Sequence, residues 1–220
     1  MKGDLKPENI LWFNETDDPT KQGILQITDL GLGRFHGFGS KSKDDPRKLA
    51  GSATYVPPEM ALNKPISRAY DIWSLGCVFL EFFTWMVKGC KAVKEFSDAR
   101  LLKTEDGVED DTFFTRTGEH AVVRDGVINW VERLRQHPRC SKMIHDLLDI
   151  TMNKMLRVAV GERIVSRELH TELKKVHSKA TKDTELSTLE FILGRKSQDI
   201  AKSDESDSNS YLNDAVPGQA

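Results

Sequence analysis

Apolar and polar positions are arranged along this chain in several distinct patterns, and each predicts a different element. Ile10-Leu11-Trp12-Phe13 and Ile24-Leu25-Gln26-Ile27-Thr28 are short apolar or alternating runs. Residues 14–23 between them are rich in turn formers, so the two runs predict a β-hairpin. Residues 31–51 are rich in Gly, Ser and Lys with a single Pro, and predict a long surface loop. Over Ile72–Val87, 12 of 16 positions are apolar, the exceptions being Ser74, Gly76, Glu81 and Thr84. A membrane-spanning helix needs about 20 such residues. This run is shorter, contains an acid and is flanked by Asp71 and Lys88, so it predicts a helix buried on nearly all sides in a protein core.

Beyond it the chain is mixed and charged to about Gly126, and no element is read there. Helical periodicity returns at Ile128–Arg135. Ser141 is a good N-cap for a helix running to Leu156, because Met143, Ile144, Leu147, Leu148, Met152 and Met155 recur at spacings that form one face. A last helix is predicted over Ser166–His177. From Ser178 the chain turns polar, and a stretch such as Ser203–Ser210 has nothing to bury, which predicts a disordered tail over 178–220. No internal repeat is visible.

Composition narrows the function classes. The chain has 220 residues, with 32 Lys plus Arg against 34 Asp plus Glu and a net charge of -2. That balance argues against a general nucleic-acid binder and against a polybasic membrane-surface protein. Cys77, Cys90 and Cys140 are odd in number and far apart, with no Cys-x-x-Cys pair, so neither a disulfide framework nor a structural zinc site is indicated. A reducing intracellular compartment, cytoplasmic or nuclear, is the expectation. Met1–Pro7 has no apolar stretch of the kind a secretory signal requires. The histidines show no metal spacing. Gly31-Leu32-Gly33 and Gly37-Phe38-Gly39 lack the flanking strands and the downstream lysine of a phosphate loop.

Four short blocks carry the chemistry: Asp4-Leu5-Lys6-Pro7-Glu8-Asn9, Asp29-Leu30-Gly31, Gly51-Ser52-Ala53-Thr54-Tyr55-Val56-Pro57-Pro58-Glu59, and Asp71-Ile72-Trp73-Ser74-Leu75-Gly76. Singly each is an ordinary turn or cap. In this order and at these gaps they resemble the C-terminal lobe of the eukaryotic protein kinases over residues 1–177. The resemblance implies a mainly α lobe of an α+β parent fold, with a short β-hairpin at the catalytic loop and a helical bundle. It also implies phosphoryl transfer from ATP, a reaction that asks a protein for positioning and charge neutralisation. Asp4 then matches the residue that accepts or orients the proton of the substrate hydroxyl. Asn9 and Asp29 match the Mg²⁺ ligands, an amide and a carboxylate oxygen of the hard type that Mg²⁺ prefers. Lys6 would reach the transferring phosphate, and its place in Leu-Lys-Pro-Glu-Asn resembles the serine/threonine class. Ser52 matches the hydroxyl residue that bonds Asp4 and Lys6.

Further positions match structural residues of the family. Glu59 would pair with Arg163, and Asp71 would hold the backbone of the catalytic loop, with a plain capping role at a helix N-terminus as the alternative. The chain also departs from the pattern. Lys2-Gly3 stands where His-Arg is usual, which argues against activation by loop phosphorylation. Leu30 replaces Phe, an apolar exchange. The stretch from Lys88 to Pro138 is long and charged relative to the family, and its substrate-side helices are left unassigned. No glycine-rich loop or strand lysine precedes Met1. The expectation is therefore a protein serine/threonine kinase acting on a Ser/Thr-bearing protein substrate, with no nucleic-acid or membrane partner, whose chain alone binds ATP·Mg²⁺ weakly and transfers no phosphate. The alternatives are a non-catalytic, pseudokinase-like binding fragment and an incomplete gene model of an active kinase. Retention of Asp4, Asn9 and Asp29 weighs against decay.

Overall fold

The computed structural model describes residues 5–13, 23–28, 53–103 and 109–182. The chain divides into two compact units, Met1–Leu173 and Lys174–Ala220. The predicted hairpin is present: strand β1 (Ile10–Phe13) pairs antiparallel with β2 (Ile24–Ile27), with Ile10 opposite Ile27 and Phe13 opposite Ile24. A single turn of 3₁₀ helix (Pro7–Asn9) leads into β1, and another (Ala53–Tyr55) precedes the short helix α1 (Pro58–Ala61).

The organising element is α2 (Ala69–Lys88), which contains the apolar run. Trp73, Cys77, Leu80, Phe83 and Val87 are buried along it in the main core cluster. Phe82 is the exposed exception among its large apolar residues. No helix among the described residues is long and apolar enough to cross a membrane. Helix α3 (Cys90–Arg100) contributes Ala92 and Phe96 to this core, α4 (Asp125–Arg135) contributes Val127, Trp130, Val131 and Leu134, and α5 (Lys142–Ile150) contributes Ile144 and Leu148. Phe96 stacks on Trp130 with ring centroids 5.3 Å apart, and the Trp130 indole N–H donates to Thr84 at 3.0 Å.

Between α3 and α4 the charged stretch that gave no sequence signal folds into two antiparallel pairs. These are β3 (Leu102–Lys103) with β4 (Glu109–Asp110), and β5 (Phe114–Thr117) with β6 (His120–Val123). Arg124, almost fully buried, explains how strands this short hold together. Its guanidinium donates to the carbonyls of Arg100, Asp110 and Phe114, to the Asp110 carboxylate at 3.0 Å, and to the Thr112 hydroxyl at 3.1 Å. One side chain thus ties the end of α3, β4 and β5 to the start of α4. Burial would push the Asp110 carboxyl up, but the Thr112 bonds and the Arg124 charge outweigh it and hold that group below its ordinary value.

Three boundaries differ from the sequence prediction. Helix α4 starts at Asp125, whose carboxylate suits a first helical turn. Ser141 caps α5 by accepting from the Ile144 N–H at 3.3 Å, but the α pattern stops at Ile150 and a π-turn, Thr151–Met155, follows. The wider turn, closed by Leu156 N–H to Thr151 C=O at 2.9 Å, accompanies close packing against Gly76 of α2, where a Cβ would lie 2.9 Å from a Leu156 methyl. Helix α6 runs Ser166–Lys182, five residues beyond His177, because Lys179, Ala180 and Lys182 are good helix formers and Ala180 is buried. The predicted loop over 31–51 lies outside the described residues, as does the tail from residue 183 onward.

Gly126 makes the closest approach in this region. A Cβ built there overlaps the carbonyl oxygen of Ala99 and lies 3.0 Å from its carbon, and backbone atoms cannot swing aside. Alanine gains up to about 1 kcal/mol of helix propensity over glycine, but overpacking costs roughly 1–3 kcal/mol. Gly126→Ala should therefore lower the unfolding free energy in a urea melt, whereas an alanine at the solvent-exposed Ile128 should change it by less than about 0.5 kcal/mol.

Candidate active site

Of the five site residues read from the sequence, Lys6 and Asn9 are described, while Asp4, Asp29 and Ser52 lie outside the described residues. Leu5 is buried and fixes the loop that carries Lys6. Pro7, with its φ preset and no N–H to satisfy, opens the 3₁₀ turn. The turn closes when the Asn9 N–H donates to the Lys6 carbonyl at 3.0 Å. Asn9 is buried at its end. The Asn9 carbonyl then accepts from the Thr28 N–H at 2.8 Å and from the Thr28 hydroxyl at 3.4 Å. The antiparallel register of the hairpin thereby ties Asn9 to the residue immediately before Asp29.

The segment after Ser52 is held by a second set of bonds. Ser74 of α2 donates its hydroxyl to the Tyr55 carbonyl at 2.9 Å. Tyr55 donates to Glu81 Oε2 at 2.9 Å, and Glu81 Oε1 accepts from Arg100 Nη2 at 2.9 Å. Thr54 donates to Asp111 Oδ1 at 2.7 Å. Three residues past Val56, Glu59 meets Arg163 in a buried, two-pronged pair, Nη1 to Oε1 at 2.7 Å and Nη2 to Oε2 at 2.6 Å. Arg163 also donates to the carbonyls of Ala69 and Arg157, and its guanidinium lies 5.1 Å from the centre of the Trp73 ring. Asp71 sits in the first turn of α2.

A sequence profile described as "Protein kinase domain" matches residues 1–172. The chain belongs to the protein kinase domain family. A 75-residue stretch is 40% identical to human serine/threonine-protein kinase H2, taking in 34% of this chain and 18% of that protein. A stretch of equal length is 35% identical to calcium/calmodulin-dependent protein kinase type 1 of Caenorhabditis elegans, 34% of this chain and 19% of that one. Over 115 residues the chain is 32% identical to serine/threonine-protein kinase PDK1 of Cryptococcus neoformans, 49% of this chain and 9% of that one. The matched stretches span less than a fifth of the length of these relatives. Protein kinases as a family use ATP and a divalent metal and act on protein substrates.

Sequence reasoning about this kinase domain missed Glu81, Arg100, Asp111 and Arg124 as members of polar networks. The available signal was Glu81, an acid inside an apolar run, which requires a buried counter-charge. Arg100 supplies it: its side chain is 1% exposed and its guanidinium lies 4.2 Å from the Phe96 ring centre and 4.1 Å from that of Phe113. Burial raises the Glu81 carboxyl above its ordinary value, against the pull of Arg100. Burial, and then the Glu81 charge, pushes the Tyr55 phenol far above its ordinary value of 10.0.

The Glu59–Arg163 pair gives a direct stability test. Arg163→Met should cost about 3–5 kcal/mol, because it leaves a buried carboxylate uncompensated. The double variant Glu59→Gln/Arg163→Met should recover part of that loss in the same chemical-denaturation series. Tyr55 gives a pH test. Its folded-state value is raised, so its stabilisation is full below pH 10 and is lost as pH rises further and the unfolded chain ionises. Unfolding free energies measured at and above pH 10 should fall less steeply for Tyr55→Phe than for the parent chain, by about 1 kcal/mol per pH unit.

Proposed function

We propose that this kinase domain transfers the terminal phosphoryl group of ATP to a Ser or Thr hydroxyl of a protein substrate. The observation that carries the reading is the hydrogen bonding of Thr28 to the Asn9 backbone carbonyl, since it ties the main chain of the catalytic loop to the residue before Asp29. The donor set, one neutral amide oxygen and one carboxylate, fits Mg²⁺. Asn9 and Asp29 would hold the ion, whose charge would offset that of the phosphates. Asp4 orients the acceptor hydroxyl and takes its proton, an effect of typically 10²–10⁴-fold. Lys6 stabilises charge on the phosphoryl oxygens as it moves. Ser52 holds Asp4 and Lys6 in register. The Leu-Lys-Pro-Glu-Asn context and the serine/threonine kinases among the relatives support the hydroxyl class.

The hairpin supports the further view that a second lobe completes the nucleotide site. Leu11, Trp12, Phe13, Ile24, Leu25 and Ile27 are all exposed, Trp12 by 59%. A two-stranded hairpin is marginal by itself, and exposed apolar surface of this kind marks a docking face.

The test is made with and without an added lobe. The chain alone should show no measurable transfer to a generic Ser/Thr substrate such as casein. Joined behind the ATP-binding lobe of a serine/threonine kinase, it should phosphorylate casein in the presence of Mg²⁺. Asp29→Ala should abolish that activity, and Asp4→Asn should reduce kcat by about 10²–10⁴-fold. A folded fusion that binds ATP yet transfers nothing would refute the catalytic reading in favour of a non-catalytic binding role.

A further inference from the structure

Five residues close a polar ring beside the 3₁₀ turn that precedes α1. Thr54 donates to the Asp111 carboxylate at 2.7 Å, and the Asp111 carbonyl accepts from Arg100 Nε at 3.1 Å. Arg100 Nη2 then bonds Glu81, and Glu81 accepts from Tyr55, the neighbour of Thr54. Ser97 of α3 adds a bond to the other Asp111 oxygen at 3.4 Å. Two members of the ring belong to the segment that follows Ser52. Two others, Arg100 and Asp111, belong to the stretch between α2 and α4, which carries none of the four sequence blocks.

We propose that this stretch, α3 together with β3–β6, is a clamp on the segment that follows Ser52, with Asp111 and Arg100 as positioning residues acting through Thr54 and Tyr55. The proposal rests on the kinase reading, because the clamped segment is the one that follows Ser52. Simple core stability does not require such a ring. Apolar residues of similar volume commonly do as well as a buried ion pair or better, and Arg100 Nη1 is buried without an acceptor. What the ring adds is direction, since each bond has one donor and one acceptor at a fixed distance. It specifies where the backbone of residues 53–55 lies relative to α2, and the Ser74 bond to the Tyr55 carbonyl sets the same segment from below. Arg124 and Gly126 press the end of α3 into place, so that Arg100 enters the ring at a fixed angle. Asp111 is partly accessible, with a side chain 31% exposed.

The experiment is amide hydrogen exchange, read by mass spectrometry on the full chain, comparing the peptide covering residues 53–62 with peptides from α4 and α5. Thr54→Val removes the donor at nearly constant volume, and Thr54→Ser keeps it. Thr54→Val and Asp111→Ala should each speed exchange in 53–62 by about 2–10-fold, as expected for one lost hydrogen bond, with α4 and α5 unchanged. Thr54→Ser should match the parent chain. The double variant Thr54→Val/Asp111→Ala should exchange no faster than the faster single, because both remove the same bond. Unchanged exchange in 53–62, acceleration spread equally over α4 and α5, a Thr54→Ser variant that behaves like Thr54→Val, or additive effects would each overturn the clamp. None of these readouts needs phosphoryl transfer. A fusion that transfers nothing while the clamp results hold counts against the kinase reading alone.

Discussion

Helix α2 is apolar on nearly every side, and a helix of that kind has to be enclosed by other elements before it is stable in water. Most of the fold follows from that requirement. Helices α3, α4 and α5, the β5–β6 pair, the 3₁₀ turn at Ala53–Tyr55 and the π-turn each cover a part of its surface. The one acid on the buried surface, Glu81, then makes a second demand, because a carboxylate taken out of water needs a partner. Arg100 and Tyr55 meet it together. The apolar requirement therefore explains the packing, and the single carboxylate explains why the polar contacts converge on the segment that carries the kinase signature.

The parts of the fold legible in the sequence are those encoded by local pattern. The β1–β2 pair follows from two apolar runs flanking turn residues, α2 from its composition, and the start of α5 from Ser141. The Glu59–Arg163 contact spans 104 positions, and only the motif resemblance singled out those two residues. The stretch from Lys88 to Arg124 was opaque for a physical reason. Strands of two residues have no periodicity to detect, and the β3–β4 pair is held in part by the bonds of Arg124 to Asp110, 14 positions away. The π-turn at 151–155 was equally hidden, because it depends on what α2 presents opposite it, a glycine at position 76. At the site, residue identity was readable from the four blocks, whereas the ring around Thr54 and Tyr55 required three-dimensional proximity.

Membership of the protein kinase family also gives the exposed hairpin a context. Its exposed apolar side chains sit on the two strands that follow the turn ending in Asn9. That exposure is what the proposed docking of a second lobe requires.

The separation between Glu59 and Arg163 has a consequence for biogenesis. During synthesis Glu59 leaves the ribosome with its neighbours Pro57 and Pro58 and has no counter-charge until another 104 residues have been added. At usual elongation rates of roughly 5–20 residues per second, that interval is about 5–20 s. Throughout it, burying the carboxylate would be unfavourable, so α1 has to stay hydrated while the more local contacts of α2, α3 and α4 form. The order of events is thus written into the chain. The scaffold is assembled first, and the substrate-side segment is seated last, by an arginine that arrives near the end of the domain.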